Sequence, residues 1–387
     1  MCRRLSLSSE LFLIIVFLSA FLAPLFSRIL RMPVPVGELI FGILIGNFFV
    51  GIQVPEILNF LSDFGFLLLM FLAGLELDFN LIEKADKKQN AVYISYVLLI
   101  FLSAFVFGIL LGIGTAPAII LSLISLGLMV ATLKDMSVLE EPFAKKVLLI
   151  GVFGEIISLL ALTLMEKLLH FHGFVSLIKE LGVIFVFFFS FFLGFYLTRL
   201  LVWWYPEIVN RLTYEEDPSA LGIRLSLFLM FTSSIFAKLA GIESVLGAFM
   251  AGVVFSYFIR EKKDLEEKLS SIGYGFLIPI FFIKTGMGME VAGLNLAILF
   301  KVFIFLAFML FVRLIPSFVL LLAGFSLKDS FTAGLLLSYP FTLMVAGIEI
   351  ARRGGALDEE TALALFLTAA FSSLVFPWSA KIILSRR

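Results

Sequence analysis

The chain has 387 residues, 61% of them hydrophobic and only 15% charged, with a mean hydropathy of +1.12. Soluble domains run at roughly 45–50% apolar and about 25% charged, so this is the composition of an all-α polytopic membrane protein, read as one membrane domain over residues 1–387. Lys and Arg balance Asp and Glu at 29 each, which gives no basic surface for nucleic acid, and the single cysteine, Cys2, excludes an internal disulfide or a cysteine-built metal site.

About thirteen apolar spans are expected, at 9–30, 34–50, 58–77, 90–113, 116–133, 146–168, 174–202, 219–239, 242–259, 270–289, 293–323, 328–350 and 360–384. No small-residue cleavage site follows the first, so it reads as a retained helix rather than a signal peptide. The fifth span is interrupted by Gly127 and by the polar stretch Ala131-Thr132-Leu133-Lys134-Asp135. The sixth carries Glu155 in mid-run, in VLLIGVFGEIISLLALTLM. His170 and His172 follow in a loop and read as a solvated pair rather than as metal ligands. Gly247 and Gly252 in the ninth span fit close helix packing. The tenth span carries Lys284 and the eleventh Arg313. The twelfth is broken by Ser338-Tyr339-Pro340, where proline removes a backbone donor and crowds the preceding turn.

The two interrupted spans are seven apart, so they run in opposite directions. That layout predicts two inverted repeats, residues 1–168 and 219–387, joined by a linker helix at 174–202. Interrupted spans at matching places in two halves point to a transporter's midplane site. Lys and Arg concentrate in the loops on the side of the C-terminus, which places the N-terminus outside and the C-terminus in the cytoplasm.

Glu155 is the residue on which chemistry turns. An acidic residue at a helix centre costs roughly 2.5–3.5 kcal/mol to insert, and an ionisable group kept in a membrane marks a functional site by default. A carboxylate there can hold a proton or a monovalent cation, Na+ or K+, and the two compete for one charge. Hard cations take oxygen ligands. Thr132 and Ser158 offer hydroxyls, and Gly154 leaves its backbone open. Arg313 stays protonated and reads either as a snorkelling side chain or as a fixed counter-charge beside the helix interruptions. Lys284 snorkels or pairs with an acid. Asp135 either neutralises a half-helix end or is a plain loop charge. Glu38, Asp63, Glu76, Asp78 and Glu243 sit near span ends and read as solvated or capping.

Several stretches resemble the cation:proton antiporter-2 family of monovalent cation/proton antiporters, which includes Na+/H+ antiporters and Kef-type proteins. PVPVGELIFGILIGN (33–47) is similar to the family's second helix and FGFLLLMFLAGLELD (64–78) to its third. GIESVLGAFMAGVVF (241–255) and IPIFFIKTGMGME (278–290) are similar to two later segments. The resemblance implies the Na+/H+ antiporter fold: thirteen helices in two inverted repeats, a dimerisation domain, and a mobile core with two broken, crossing helices. It places Glu155 at the family's membrane acid, where many members carry two adjacent acids and this chain has Gly154-Glu155. It places Thr132 at the first crossover and Arg313 at a basic position of a late helix. The sequence ends at Arg387, so no Kef-type nucleotide-binding domain is expected.

The expected function is exchange of Na+ (or K+) for H+ across the cytoplasmic membrane by a homodimer embedded in the lipid bilayer. Its role would be pH homeostasis, with no cofactor, no enzymatic activity, and Glu155 as the ligand to the transported ion. With one titrating acid the exchange is expected to be electroneutral. The alternatives are a cation channel, or an organic-anion transporter that binds its substrate at Arg313 or Lys284.

Overall fold

The structure is a computed structural model that describes residues 9–30, 32–49, 54–75, 86–136, 138, 141–169, 174–204, 220–242, 244–256, 263–289 and 295–384. Every regular element among the described residues is helical. In chain order these are α1 (Ser9–Leu30), α2 (Val34–Phe48), α3 (Glu56–Leu75), α4 (Lys87–Leu110), α5 (Thr115–Ser122) and α6 (Gly127–Asp135). Then follow α7 (Pro142–Leu169), α8 (Phe174–Trp204), α9 (Leu221–Leu239), α10 (Ser244–Ser256), α11 (Lys263–Ile272) and, after a π-turn at Gly273–Leu277, α12 (Ile278–Met287). The last are α13 (Leu296–Leu314), a 3-10 segment at Pro316–Ala323, α14 (Leu327–Leu336), α15 (Phe341–Arg353) and α16 (Glu359–Leu384).

Local chemistry sets several of these ends. The Asp86 carboxylate accepts from the Lys88 amide at the start of α4. Asn295 accepts from Ile298 N at the start of α13, and Ser326 from Asp329 N at the start of α14. Each side-chain oxygen satisfies a donor that the first helical turn leaves over.

Eight described helices are long and apolar enough to cross a bilayer, and the bent pair α14 and α15, with 49° between its halves, makes a ninth. Four shorter apolar helices fall within the second, fifth, seventh and ninth expected spans. The chain is a multi-pass membrane protein.

It divides into two compact units. One is Met1–Asp78 with Phe171–Met289, the other Phe79–His170 with Glu290–Arg387. Each takes one stretch from either half of the chain.

The first unit is built on close helix approach. Phe12, Val16, Ile45, Leu58, Ile280 and Ile283 form a buried cluster joining α1, α2, α3 and α12. Phe66 and Phe281 stack with centroids 4.5 Å apart. Helices pack this tightly only where side chains are missing: a methyl group at Gly252 would overlap the Phe71 carbonyl, and one at Gly74 the Phe249 carbonyl. Gly42 and Gly286 repeat the arrangement between α2 and α12. Between apolar helices in lipid, packing replaces the hydrophobic effect as the adhesive, and small residues allow it.

The second unit holds both interrupted helices, and it corrects the expected position of the first break. The chain leaves helix at Leu123, Ile124, Ser125 and Leu126, between α5 and α6. Gly127 is the first residue of α6, and Ala131 through Asp135 are helical rather than broken. The second break falls on Leu337, Ser338, Tyr339 and Pro340, the stretch read from the sequence. Pro340 has no amide to donate and closes the segment just before α15.

Gly252→Leu should lower the detergent melting temperature and yield of folded protein, because overpacking at such a site costs roughly 1–3 kcal/mol. Gly275→Ala, where an added methyl meets nothing within 4 Å, should leave both unchanged. Equal melting temperatures for the two variants would refute the close-approach account.

Candidate functional site

Breaking a helix inside a membrane strands carbonyl oxygens that no water can reach. Here the buried guanidinium of Arg313, in the last turn of α13, meets them. Its Nε donates to Leu337 O at 2.9 Å. Nη1 donates to Leu121 O at 2.7 Å and to Met309 O at 2.9 Å. Nη2 donates to Leu123 O. Leu121 and Leu123 lie at the end of α5 and in the first interruption, and Leu337 opens the second. One side chain therefore joins both interruptions. The carbonyl ends of α5 and α14 carry partial negative charge, which offsets the cost of burying a cation. Hydrogen bonds to a charged group contribute roughly 1.5–3 kcal/mol each. The Tyr96 hydroxyl donates to Arg313 O at 3.2 Å and steadies the backbone from α4.

The amide side of the first interruption is held from α7. Ile124 N donates to Ser158 Oγ at 2.8 Å, and Ser158 Oγ donates to Gly154 O at 2.6 Å. Gly154 is bare so that Ile124 can lie on it; a side chain there would collide with Ile124 Cγ2 at 2.6 Å. Gly151, one turn earlier, faces Leu126 and Met129 in the same way. Residues 151, 154, 155 and 158 share one helix face by their spacing. Glu155 thus belongs to the face of α7 that packs on the interruption, and it is 1% exposed.

Hydroxyls join the two interrupted helices to each other. Ser125 Oγ and Thr342 Oγ1 are 3.0 Å apart, a mutual hydrogen bond between the first interruption and the start of α15. Tyr339, 2% exposed, places its hydroxyl beside Thr132 of α6. Thr132 Oγ1 donates its own proton to Leu128 O at 2.8 Å, so its oxygen offers only lone pairs. Ser338 Oγ likewise donates to Gly334 O, at 2.6 Å.

Of the residues singled out in the sequence, Glu155, Ser158, Arg313, Thr132, Gly127, Ser338 and Pro340 all lie in this one unit, on or beside the interrupted helices. Ala131 and Asp135 lie on α6, with side chains outside the described residues. Lys284 belongs to the other unit, half-buried in the last turn of α12. His170, His172, Glu76, Asp78 and Glu243 are outside the described residues. Asp63 is exposed, as expected of a span-end acid. Glu38 is not: it is buried in α2 with 2% exposure, because α2 starts at Val34 and carries position 38 inside its packed face. Sequence reasoning passed over Ser125, Thr342, Tyr96 and the hydroxyl of Tyr339. The signal available was a polar atom inside an apolar span, weak for Ser and Thr because they bond so readily to their own helix.

In chemical terms the unit sets one buried carboxylate, Glu155, on the α7 face that packs against the first interruption, and one buried cation, Arg313, bonded to carbonyls of both.

The comparisons with known proteins bear on the family and the fold. A family model described as "Sodium/hydrogen exchanger, transmembrane" matches residues 17–386. A putative Na+/H+ antiporter of Bacillus subtilis, YjbQ, is 28% identical over 94% of this chain, and the chain spans 61% of that protein's length. The Na+/H+-K+ antiporter GerN of Bacillus cereus is 27% identical over 94% of this chain and 93% of its own. A solved sodium/proton antiporter from Methanocaldococcus jannaschii superimposes with a TM-score of 0.66 over 97% of both chains at 15% identity, which shows a shared fold. The chain belongs to the sodium/hydrogen exchanger family, a family of secondary transporters and not of enzymes.

Proposed function

We propose that this protein exchanges Na+ or K+ for H+ across the cytoplasmic membrane, with Glu155 binding the cation and the proton in turn. The observation that carries the reading is the placement of Glu155: a buried carboxylate on the face of α7 that packs against an interrupted helix. A cation arriving there displaces the proton, and a proton displaces the cation, so exchange follows from competition for one charge. The relatives' names agree in kind, Na+/H+ for YjbQ and Na+/H+-K+ for GerN.

Both interruptions, Arg313 and Glu155 sit in one unit, which supports alternating access by movement of that unit as a body. Two inverted repeats, 1–168 and 219–387 around the linker 174–202, would each contribute one interrupted helix to it. The charge distribution of the loops supports an outside N-terminus and a cytoplasmic C-terminus. The family resemblance supports a homodimer. Arg313 has four of its N–H groups committed to main-chain carbonyls. It therefore serves as a fixed charge rather than a proton carrier, and little of it remains to bind an organic anion. With one titrating acid, each turnover carries one cation against one proton.

Two outcomes are expected in proteoliposomes. Glu155→Gln, which keeps the shape and removes the charge, should abolish Na+-driven recovery of a pH-sensitive dye while the protein still elutes as a folded species; recovery at the wild-type rate would exclude Glu155 as the carrier. The initial rate in the wild type should be unchanged when a potassium–valinomycin potential is imposed during Na+/H+ exchange. A rate that follows the potential would overturn the one-for-one stoichiometry.

A further inference from the structure

The first unit holds a carboxylate that the exchange does not use. Glu38 is 2% exposed, and among the described residues no hydrogen bond or ion pair reaches it. The glycines beside it fix its place. Gly37 lets Ser27 Oγ and the Ala23 carbonyl of α1 lie against α2, and Gly42 does the same for the Ile283 carbonyl of α12. Glu38 adjoins the first glycine and lies one turn from the second on the same helix face, so its position falls in the wedge between the α1 and α12 contacts. Ser27 Oγ, fully buried, also has no partner among the described residues.

The surroundings offer little to balance a charge. On the helices packed around α2 the charged groups are Glu10 and Arg28 of α1, Glu56 and Asp63 of α3, and Lys284 of α12. The first four are exposed. Lys284 is half-buried, but α2 and α12 run in the same direction, with Gly42 at Ile283 and Gly46 at Met287. That register puts Lys284 more than a turn beyond the level of Glu38. The dipole of α2 helps little, because Glu38 lies past the first turn. An ionised carboxylate sealed in this way is strongly disfavoured, and such a group takes up a proton instead. Small adjustments cannot relieve the seam, since backbone meets backbone at Gly42 and Gly286. Close packing and the ionised form therefore exclude each other.

We propose that Glu38 is a second proton-binding site, separate from Glu155, whose occupancy is tied to the packing of α1, α2 and α12. The bound proton makes the carboxyl neutral and lets the wedge close. Loss of the proton leaves a charge that the wedge can hold only by opening to water. The closed wedge thus binds the proton more tightly than the open one, so the closed form is favoured in acid and loses ground as the pH rises. This proton answers to pH and not to the arriving cation, which leaves one-for-one exchange at Glu155 untouched. The inference stands whether or not Glu155 is the carrier.

The test is infrared spectroscopy and thermal melting of the full chain in detergent over a pH series, as wild type, Glu38→Gln and Glu155→Gln. The expected result is a carbonyl band of a protonated carboxyl that is present in the wild type and in Glu155→Gln, missing from Glu38→Gln, and lost as the pH rises. The melting temperature of the wild type should drop over the same alkaline interval. At least half of that drop should disappear in Glu38→Gln, which keeps the neutral shape at every pH. Wild-type and Glu38→Gln spectra that coincide, or melting temperatures that fall in parallel, overturn the proposal. A Glu38→Gln chain that does not fold overturns it as well, because a neutral isostere of the bound form must be tolerated. A band in Glu155→Gln that NaCl abolishes at constant pH would make Glu38 a cation site and overturn the proton assignment.

Discussion

A guanidinium sealed from water must find acceptors in the protein around it, and a helix broken inside a membrane must find donors. Arg313 answers both needs at once. Its contacts to Leu121, Leu123 and Leu337 take up carbonyls that two separate helices leave over, and those carbonyls supply the negative field that lets the charge stay buried. Without that exchange neither interruption is tolerable in lipid. Ser158 completes the arrangement from the amide side, so the first interruption is held by a charge on one flank and a hydroxyl on the other.

The chemical result is a division of labour. The positive charge is fixed by main-chain hydrogen bonds, and in the proposed exchange the carboxylate of Glu155 is the group that changes state as protons and cations come and go. Glycine-mediated contacts, such as Gly74 with Gly252, belong to the other unit, where helices meet backbone to backbone. In the unit of the interruptions glycines meet side chains instead, as Gly154 meets Ile124.

How much of this could be read from the sequence follows from how each feature is encoded. Glu155 and Arg313 stand out because a charge in an apolar run is expensive wherever it ends up. The second interruption was legible because Pro340 breaks a helix by its own covalent structure. The first was not. Residues 121–126 read Leu-Ser-Leu-Ile-Ser-Leu, with neither glycine nor proline. The break is imposed there by Ser158 and by Arg313, which lies 192 positions from Leu121. A tertiary cause leaves little local trace beyond Gly127, which directly follows the break, and the expectation ran on from Gly127 to the polar stretch Ala131–Asp135, which is helical. Glu38 failed for a related reason: its place near the start of a span looked solvated, but α2 buries that turn against its neighbours. The spacing between the two broken spans pointed to two repeats in sequence, 1–168 and 219–387, and not to the interleaving of the two units, each drawn from two separate stretches of chain.

Competition for one carboxylate is the claim on which the functional account rests, and it can be measured without transport. The purified protein in a weakly buffered, choline-containing solution is titrated with NaCl while released protons are followed with a pH indicator. The account predicts that Na+ expels protons from the wild type, that the release saturates and is suppressed as the starting pH rises, and that Glu155→Gln releases none. Equal proton release from the wild type and Glu155→Gln would contradict it.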